Sequence, residues 1–208
     1  MRAKTENQSS GFSILELVIS IGIFLIVTSI VLVSQHRFGG NILITNLAYD
    51  VALSVRQAQV YGISVKESLP EDFQKRYGIH FGPSSYYVIF VDLNEDGRYD
   101  TLANGSNGCV KNPPQGHSPE CVSFFKIERG NFISRFCGDP DNCTDSGDQS
   151  KIDSLDIVFK RPNPEPDIAT FRGGVIVTNP GNASITVSSP QGLQKTINVF
   201  GSGQVSVR

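Results

Sequence analysis

The chain has 208 residues, a formal net charge of −2 and 39% hydrophobic residues. This length fits one ordinary domain with an additional segment, and the near-neutral charge argues against the global basic field of a nucleic-acid-binding protein. Frequent glycine and proline, with no tryptophan, favour many short strands joined by turns over a helical bundle.

The N-terminal region combines a short polar leader with a long apolar run. Residues 1–11 carry two basic side chains and end at Gly11. Residues 12–34 are almost entirely apolar and long enough to cross the roughly 30 Å hydrocarbon core of a membrane as a helix. Glu16 places one charge near the beginning of this run. Because a carboxylate is costly in lipid, the pattern predicts a membrane-spanning helix in which Glu16 has a partner and a function.

The spacing of these residues resembles a known signature. Gly11, Phe12 and then Glu16 behind so short a basic leader resemble the prepilin signature of type IV pilins and type II secretion pseudopilins. The resemblance implies cleavage between Gly11 and Phe12 by a prepilin peptidase and N-methylation of the new Phe12 amine. It also implies that Glu16 pairs with the N-terminal amine of a neighbouring subunit. A signal-anchor helix or a secretory signal peptide is the alternative, but neither explains Glu16.

A second, amphipathic helical stretch is predicted over residues 35–62. Gly39 and Gly40 interrupt the pattern and permit a bend, and Gly62 predicts the C-terminal end. An apolar stripe at helical spacing indicates the face that packs on the rest of the protein. The stripe consists of Ile44, Leu47, Val51, Val55 and Ala58, and the polar residues Asp50, Arg56, Gln57 and Gln59 lie largely off it.

Residues 63–208 are predicted to form a β-rich head, because after Pro70 the apolar pattern changes to period two. The predicted fold is therefore α+β, with a long N-terminal helix packed on an antiparallel β-sheet domain, as in pilins. The strands are expected to form a meander. They are Tyr77–Phe81, Tyr86–Val91, Ser123–Glu128, Asn131–Phe136, Leu155–Lys160, Gly174–Thr178, Ala183–Ser188, Lys195–Phe200 and Gln204–Arg208.

The order of these elements resembles one branch of the family, the H-type minor pseudopilins and related minor type IV pilins. The stretch 46–62 resembles their amphipathic helix, and 195–208 resembles their final hairpin. An insertion at about 103–150, which contains all the cysteines, departs from the pattern of that branch.

The four cysteines are Cys109, Cys121, Cys137 and Cys143. An even number of cysteines in an exported domain favours disulfide bonds. Three pairings are possible, and the sequence alone does not choose among them. The nearest-neighbour pairing joins Cys109 to Cys121 and Cys137 to Cys143. A zinc site is the competing interpretation, but no pair has C-x-x-C spacing.

One loop has the pattern of a metal site, D-x-N-x-D-G-x-x-D, with glycine in sixth place as in the first part of an EF-hand calcium loop. The glutamate expected at the twelfth position is missing, because Ala103 is there. A tight Asp-Gly hairpin turn explains the same residues without a metal. The candidate ligands for calcium are Asp92, Asn94, Asp96 and Asp100 with the backbone carbonyl of Arg98.

No enzyme is predicted, because the chain has no G-x-S-x-G elbow, no H-E-x-x-H motif and no phosphate-binding glycine loop before a helix. Calcium is the one cofactor that the sequence suggests. The resemblance instead implies a structural subunit, a minor pilin or pseudopilin that assembles into a type IV pilus or a type II secretion pseudopilus.

The resemblance also implies the partners and the location. The partners are prepilin peptidase, other pilin or pseudopilin subunits, the inner-membrane assembly platform and, before assembly, membrane lipid. The precursor would cross the inner membrane once with its head outside the cytoplasm, and the assembled filament would be periplasmic or on the cell surface. Two alternatives remain, a pilus-tip or surface binding protein for adhesion or DNA uptake, and an anchored extracytoplasmic domain that is not polymerised.

Overall fold

The computed structural model describes residues 11–64, 75–82, 85–100, 120–138, 142–145 and 151–208, with the backbone alone for 33–39. The chain divides into two compact units, Met1–Asn41 and Ile42–Arg208. All the strands that the structure describes lie in the second unit, and they form two antiparallel sheets. The α+β class predicted from the sequence is confirmed.

Helix α1 spans Ile14–Ile63, and its range includes Gly39 and Gly40, where the sequence predicted an interruption. Within the second unit one face of α1 is buried at helical spacing, and Leu47 lies half-buried at the edge of that face. Burial of this stripe excludes apolar surface from water, which stabilises the helix against unfolding. The buried apolar residues are Ile44, Ala48, Val51, Val55 and Ala58.

Two residues near the end of α1 differ from expectation. Gln59 is buried although the pattern placed it off the stripe, and its side-chain amide donates to the carbonyl oxygens of Pro164 at 2.9 Å and Gly203 at 3.1 Å. Gly62 lies inside the helix, one residue before its end. A Cβ atom at Gly62 would lie 2.7 Å from the Cβ of Phe159, so this glycine permits close packing of helix on strand.

The strands are joined by turns that the sequence marks with glycine, proline and asparagine. Their bounds are β1 Arg76–Phe81, β2 Tyr86–Asp92, β3 Cys121–Lys126, β4 Phe132–Gly138, β5 Asn142–Cys143, β6 Ser154–Phe159, β7 Pro166–Arg172, β8 Val175–Thr178, β9 Asn182–Ser188, β10 Gln194–Phe200 and β11 Val205–Val207.

The strands form two sheets rather than the single meander that the sequence suggested. The six-stranded sheet has the order β3-β2-β1-β6-β7-β8, and the five-stranded sheet has the order β11-β10-β9-β4-β5. Each sheet joins strands that are distant in the sequence. Strand β1 pairs with β6, with Ile79 opposite Ile157, and β4 pairs with β9, with Phe136 opposite Ile185. All pairs are antiparallel.

Each predicted strand is present, with ends that differ by one or two residues. Two strands were missed. The two-residue β5 is too short to show periodicity. Strand β7 begins at Pro166 and follows a proline-rich stretch, and proline within a run argues against a strand because it cannot donate a ladder hydrogen bond.

One hydrophobic core contains the buried face of α1 and the inner faces of both sheets. It includes Val55 of the helix, Ile79 and Ile157 of the six-stranded sheet, and Ile185 and Val199 of the five-stranded sheet, all with zero exposure. A smaller cluster lies elsewhere on the six-stranded sheet and contains Val88, Phe90, Tyr99 and Val158. Strand β2 contributes to both clusters, which explains why six of its seven residues are buried.

The turn between β10 and β11 is held against the helix, which generates a test. Gly203 has φ +80°, and an added Cβ would meet the carbonyl oxygen of Pro164 and lie 2.7 Å from Nε2 of Gln59. Gly192 is a matched control, because it has φ +81° with nothing near an added Cβ. We expect Gly192→Ala to destabilise by about 1 kcal/mol through backbone strain alone. Gly203→Ala should lower the free energy of unfolding by roughly 2 kcal/mol more than Gly192→Ala, because the added Cβ also clashes with its neighbours.

The measurement is chemical denaturation of the full chain in detergent, followed by circular dichroism. Equal losses of stability in the two variants would show that the β10–β11 turn does not pack closely on α1.

Candidate functional site

The first candidate site is the N-terminal part of α1. Residues Ile14–Leu32 have a mean hydropathy of 2.6 over 19 residues, and none of this span is buried. At 1.5 Å per residue such a helix is about 28 Å long, close to the thickness of a membrane core. A signal sequence near the start of a chain meets the same criteria, but the core helix of a soluble protein would be buried. This helix is long and apolar enough to cross a membrane.

The residues of the predicted cleavage signature lie at the beginning of this helix. Gly11 and Phe12 precede the first turn in non-helical conformation, and Phe12 is 77% exposed. Glu16 lies in the first turn of α1, where the partial positive charge of a helix N-terminus favours a carboxylate. Its carboxylate makes no ion pair with any described residue. The structure therefore places Gly11, Phe12 and Glu16 within one exposed stretch.

The second candidate site is the loop that follows β2, residues 93–100, together with Asp92 at the end of that strand. Asp92 is fully buried, and its Oδ2 atom accepts the N–H of Gly97 at 2.9 Å and lies 2.7 Å from the guanidinium of Arg76. Gly97 has φ +79°, a conformation that favours glycine. The loop thus turns back on the carboxylate that begins it.

Three further side chains of the predicted calcium motif meet at the open side of the loop. The side-chain NH2 of Asn94 donates to Asp96 at 3.1 Å and to Asp100 at 2.9 Å. The guanidinium of Arg98 points elsewhere, donating to the carbonyl of Gly174. The structure therefore brings together Asn94, Asp96 and Asp100 of the predicted ligand set, while Asp92 is engaged by Gly97 and Arg76.

The loop is fixed to the six-stranded sheet at its end. The backbone N–H of Tyr99 donates to Oδ2 of Asp156, and the Tyr99 ring packs against Phe90 at 5.4 Å between ring centres. The other carboxylate oxygen of Asp156 lies 2.5 Å from Nδ1 of His80. A buried Asp–His pair on two neighbouring strands thus anchors the loop.

Glu120 is a residue of this site that the sequence analysis missed. Although it lies just before β3, its two carboxylate oxygens accept the N–H groups of Leu93 at 3.0 Å and Asp100 at 2.9 Å. It therefore holds both ends of the loop from the residue that precedes β3. Glu120 is only 2% exposed, so it is not the solvated surface residue that glutamate usually is.

The concentration of buried carboxylates affects their ionisation. Burial raises the pKa of Glu120 to about 7, helped by the negative charges of Asp100 and Asp92 and opposed by the two N–H groups. Burial also raises the pKa of Asp92, with a further rise from the charge of Asp96, against the lowering effect of the Gly97 and Glu95 N–H groups and of Arg76. Burial thus disfavours the charged form of both carboxyl groups, and Glu120 keeps its proton to a higher pH than an ordinary glutamate.

The described residues contain no group of three or more His, Cys, Asp and Glu side chains that could hold a metal ion. The hairpin alternative is not present either, because β2 pairs with β3, which begins only at Cys121. The predicted motif is thus a folded loop whose side chains converge without forming a ready-made metal cluster.

The cysteines form disulfide bonds where the structure describes them. Cys137 and Cys143 are joined, and they lie opposite each other in the register of β4 and β5. This is one half of the nearest-neighbour pairing, and it excludes these two cysteines from a zinc site. Cys121 is also in a disulfide bond. Cys109 lies outside the described residues, so the second half of that pairing stays a prediction.

No protein-family model, curated protein or solved structure matches this chain. Functional inference therefore rests on the residues and their geometry.

The raised pKa of Glu120 predicts how stability depends on pH in metal-free buffer with a chelator. Its pKa is about 7 in the folded protein against 4.5 for the ordinary group, so the folded state binds the proton more tightly. The associated stability is complete below pH 4.5 and is lost as the pH rises through 7. Glu120→Gln, which resembles the protonated acid, should reduce the fall in unfolding free energy across this range by roughly 2–3 kcal/mol.

The control is Glu128→Gln, which changes an exposed glutamate just beyond β3. Denaturation at several pH values gives the slope for each variant. An unchanged slope in Glu120→Gln would mean that Glu120 ionises as an ordinary solvated residue.

Proposed function

We propose that this chain is a structural subunit of a filament assembled from prepilin-type precursors, either a type IV pilus or a type II secretion pseudopilus. The observation that carries the proposal is Glu16 in the first turn of an exposed apolar helix, directly behind Gly11 and Phe12. A plain membrane anchor has no need of this carboxylate, which is costly in lipid.

The first step is processing by prepilin peptidase between Gly11 and Phe12. A protease requires an extended and accessible backbone around the bond that it cuts. Gly11 and Phe12 lie outside the helix and are exposed, which leaves the bond between them accessible. Cleavage would leave Phe12 as the new N-terminus, with an amine four residues before Glu16.

The second step is pairing between subunits. In lipid, the carboxylate of Glu16 lacks a partner, and an unpaired charge in an apolar medium costs several kcal/mol. The new amine of Phe12 on a neighbouring subunit supplies the opposite charge. Because Glu16 and the amine are four residues apart, the pair would fix the axial offset between adjacent helices.

The third step transfers the apolar helix from lipid to the helices of other subunits. The exposed large side chains of Ile14–Leu32 supply the surface for such contacts. Helix α1 also exposes apolar residues in the second unit, on the face away from the core. They are Tyr49, Leu53 and Val60, with exposed fractions of 55%, 65% and 59%. Single exposed residues are ordinary, but three on one helix face suit packing between subunits.

Cleavage is tested by mass spectrometry of the protein from its native membrane. We expect the mature chain to begin at methylated Phe12, and Gly11→Val to remain uncut. An added Cβ at Gly11 has nothing within 4 Å, so a block by valine would arise in the peptidase and not in this protein. Gly22→Val is the matched control, because Gly22 is equally free of neighbours, and it should be processed normally. A wild-type chain that keeps Met1 in cells with active peptidase would favour the unpolymerised membrane anchor.

Assembly is tested with Glu16→Gln. This variant should be inserted and cleaved as the wild type is, yet its recovery in sheared filaments should fall about tenfold or more, because 1.4 kcal/mol of lost pairing already gives that factor. Ser20→Ala, one turn along the same helix, is the control and should assemble normally. Recovery of the Glu16→Gln variant in filaments at the wild-type level would contradict the pairing of Glu16 with the Phe12 amine.

A further inference from the structure

Strand β3 lies at one edge of the six-stranded sheet and, among the described strands, pairs only with β2. On that side the N–H of Ile127 donates to the carbonyl oxygen of Ser85. Successive residues of a strand direct their backbone groups to opposite sides, so those of Phe124 and Lys126 point away from β2. These groups make no hydrogen bond within the part of the chain that the structure describes. The outer edge of β3 can therefore pair with a further strand.

A groove lies between this edge and helix α1. Its volume is about 540 Å³, a size typical of ligand sites. The helix contributes Leu47 and Leu53 to the lining, and the strand side contributes Phe125 and Ile127. Leu53 is 65% exposed and Phe125 is half-buried, so apolar surface remains accessible on both walls.

The two walls of the groove are held together by direct contacts. The side-chain hydroxyls of Ser54, on the helix, and Tyr87, on β2, form a hydrogen bond of 3.1 Å. The ring of Tyr87 stacks on that of Phe125, with 5.0 Å between ring centres. The groove therefore has its shape before any ligand binds, which lowers the entropic cost of binding.

The charged side chains that line the groove define the chemistry of its ligand. Asp50 of the helix and Glu128, which follows β3, form no ion pair with any described residue, and Lys126 is the one basic residue of the lining. Two carboxylates therefore face one ammonium group. This excess of negative charge favours a basic side chain on the ligand.

We propose that the groove binds an extended, basic peptide segment of another protein, which adds to β3 as a further strand. Its backbone would pair with the outward groups of Phe124 and Lys126, and every second side chain would enter the groove beside Leu47 and Leu53. The matching segment alternates apolar and polar residues and carries lysine or arginine near the two carboxylates. This recognition goes beyond filament assembly and does not depend on it.

The test uses the full chain in phosphatidylcholine nanodiscs and a fluorescent peptide of about eight residues, the length of a long strand. Valine alternates with threonine in this peptide, and an arginine stands at each end. Fluorescence anisotropy should show saturable binding of one peptide per chain and none to empty nanodiscs. The same peptide with glutamate at each end should bind several-fold more weakly, because like charges then meet.

The matched variants are Leu53→Gln and Val60→Gln. Leu53→Gln places a polar group in the apolar wall and should weaken peptide binding about tenfold. Val60 is 59% exposed on the same helix and lies outside the groove lining, so Val60→Gln should bind as the wild type does. Because both residues belong to the exposed helix face proposed for packing between subunits, a defect in filament assembly alone would not imitate this difference.

Strand addition is distinguished from simple apolar contact by two measurements on the wild type, which do not depend on a variant folding. Peptides N-methylated at the valines or at the threonines are blocked on opposite edges, so one of the two should bind at least about tenfold more weakly than the other. Amide hydrogen exchange at Phe124 and Lys126 should also slow when the unmodified peptide is bound.

Three results would overturn the proposal. They are the absence of saturable binding, equal binding by wild type and Leu53→Gln, and unchanged hydrogen exchange at Phe124 and Lys126 in the presence of saturating peptide. Equal binding of the arginine and glutamate peptides would overturn the assignment of a basic ligand.

Discussion

The head of this protein depends on one face of α1 that serves two sheets at once. Val55 and its neighbours belong to the same core as Ile79 of one sheet and Ile185 of the other. Polar contacts follow the same division, since Ser54 bonds to the Tyr87 hydroxyl at 3.1 Å and Arg56 donates to the Gly203 carbonyl at 2.9 Å. Neither sheet would have a complete core without the helix, so the second half of α1 and both sheets form one cooperative structure.

Local patterns predicted the elements well and their arrangement poorly. Strands β9 and β10 were evident because apolar residues alternate and turn residues separate them. The division into two sheets depends on β1 pairing with β6 and β4 with β9, and such pairings between distant strands leave no periodic signal in either strand. Gln59 was misjudged for a similar reason, because its partners, Pro164 and Gly203, lie more than a hundred residues away in sequence.

The candidate sites show the same limit. Gly11, Phe12 and Glu16 were visible because their spacing is local, and the acidic and amide residues of the β2 loop were visible for the same reason. Glu120 was not, since nothing around it in sequence marks it as buried; its place became apparent only when β3 was paired with β2. The sequence could not distinguish the Cys137–Cys143 bond from the other pairings. The structure shows it because the short strand β5 pairs with β4 and places these two cysteines opposite each other.

The two hydrogen bonds of Glu120 bear on the register between β2 and β3. These strands pair with a register shift between Ile89 and Phe90, and an irregular ladder resists sliding less than a regular one. Glu120 lies directly before β3, and its carboxylate accepts the N–H groups of Leu93 and Asp100, which follow β2. A slip of β3 along β2 would therefore break both of these bonds, so one side chain acts as a clamp that keeps the two strands in register.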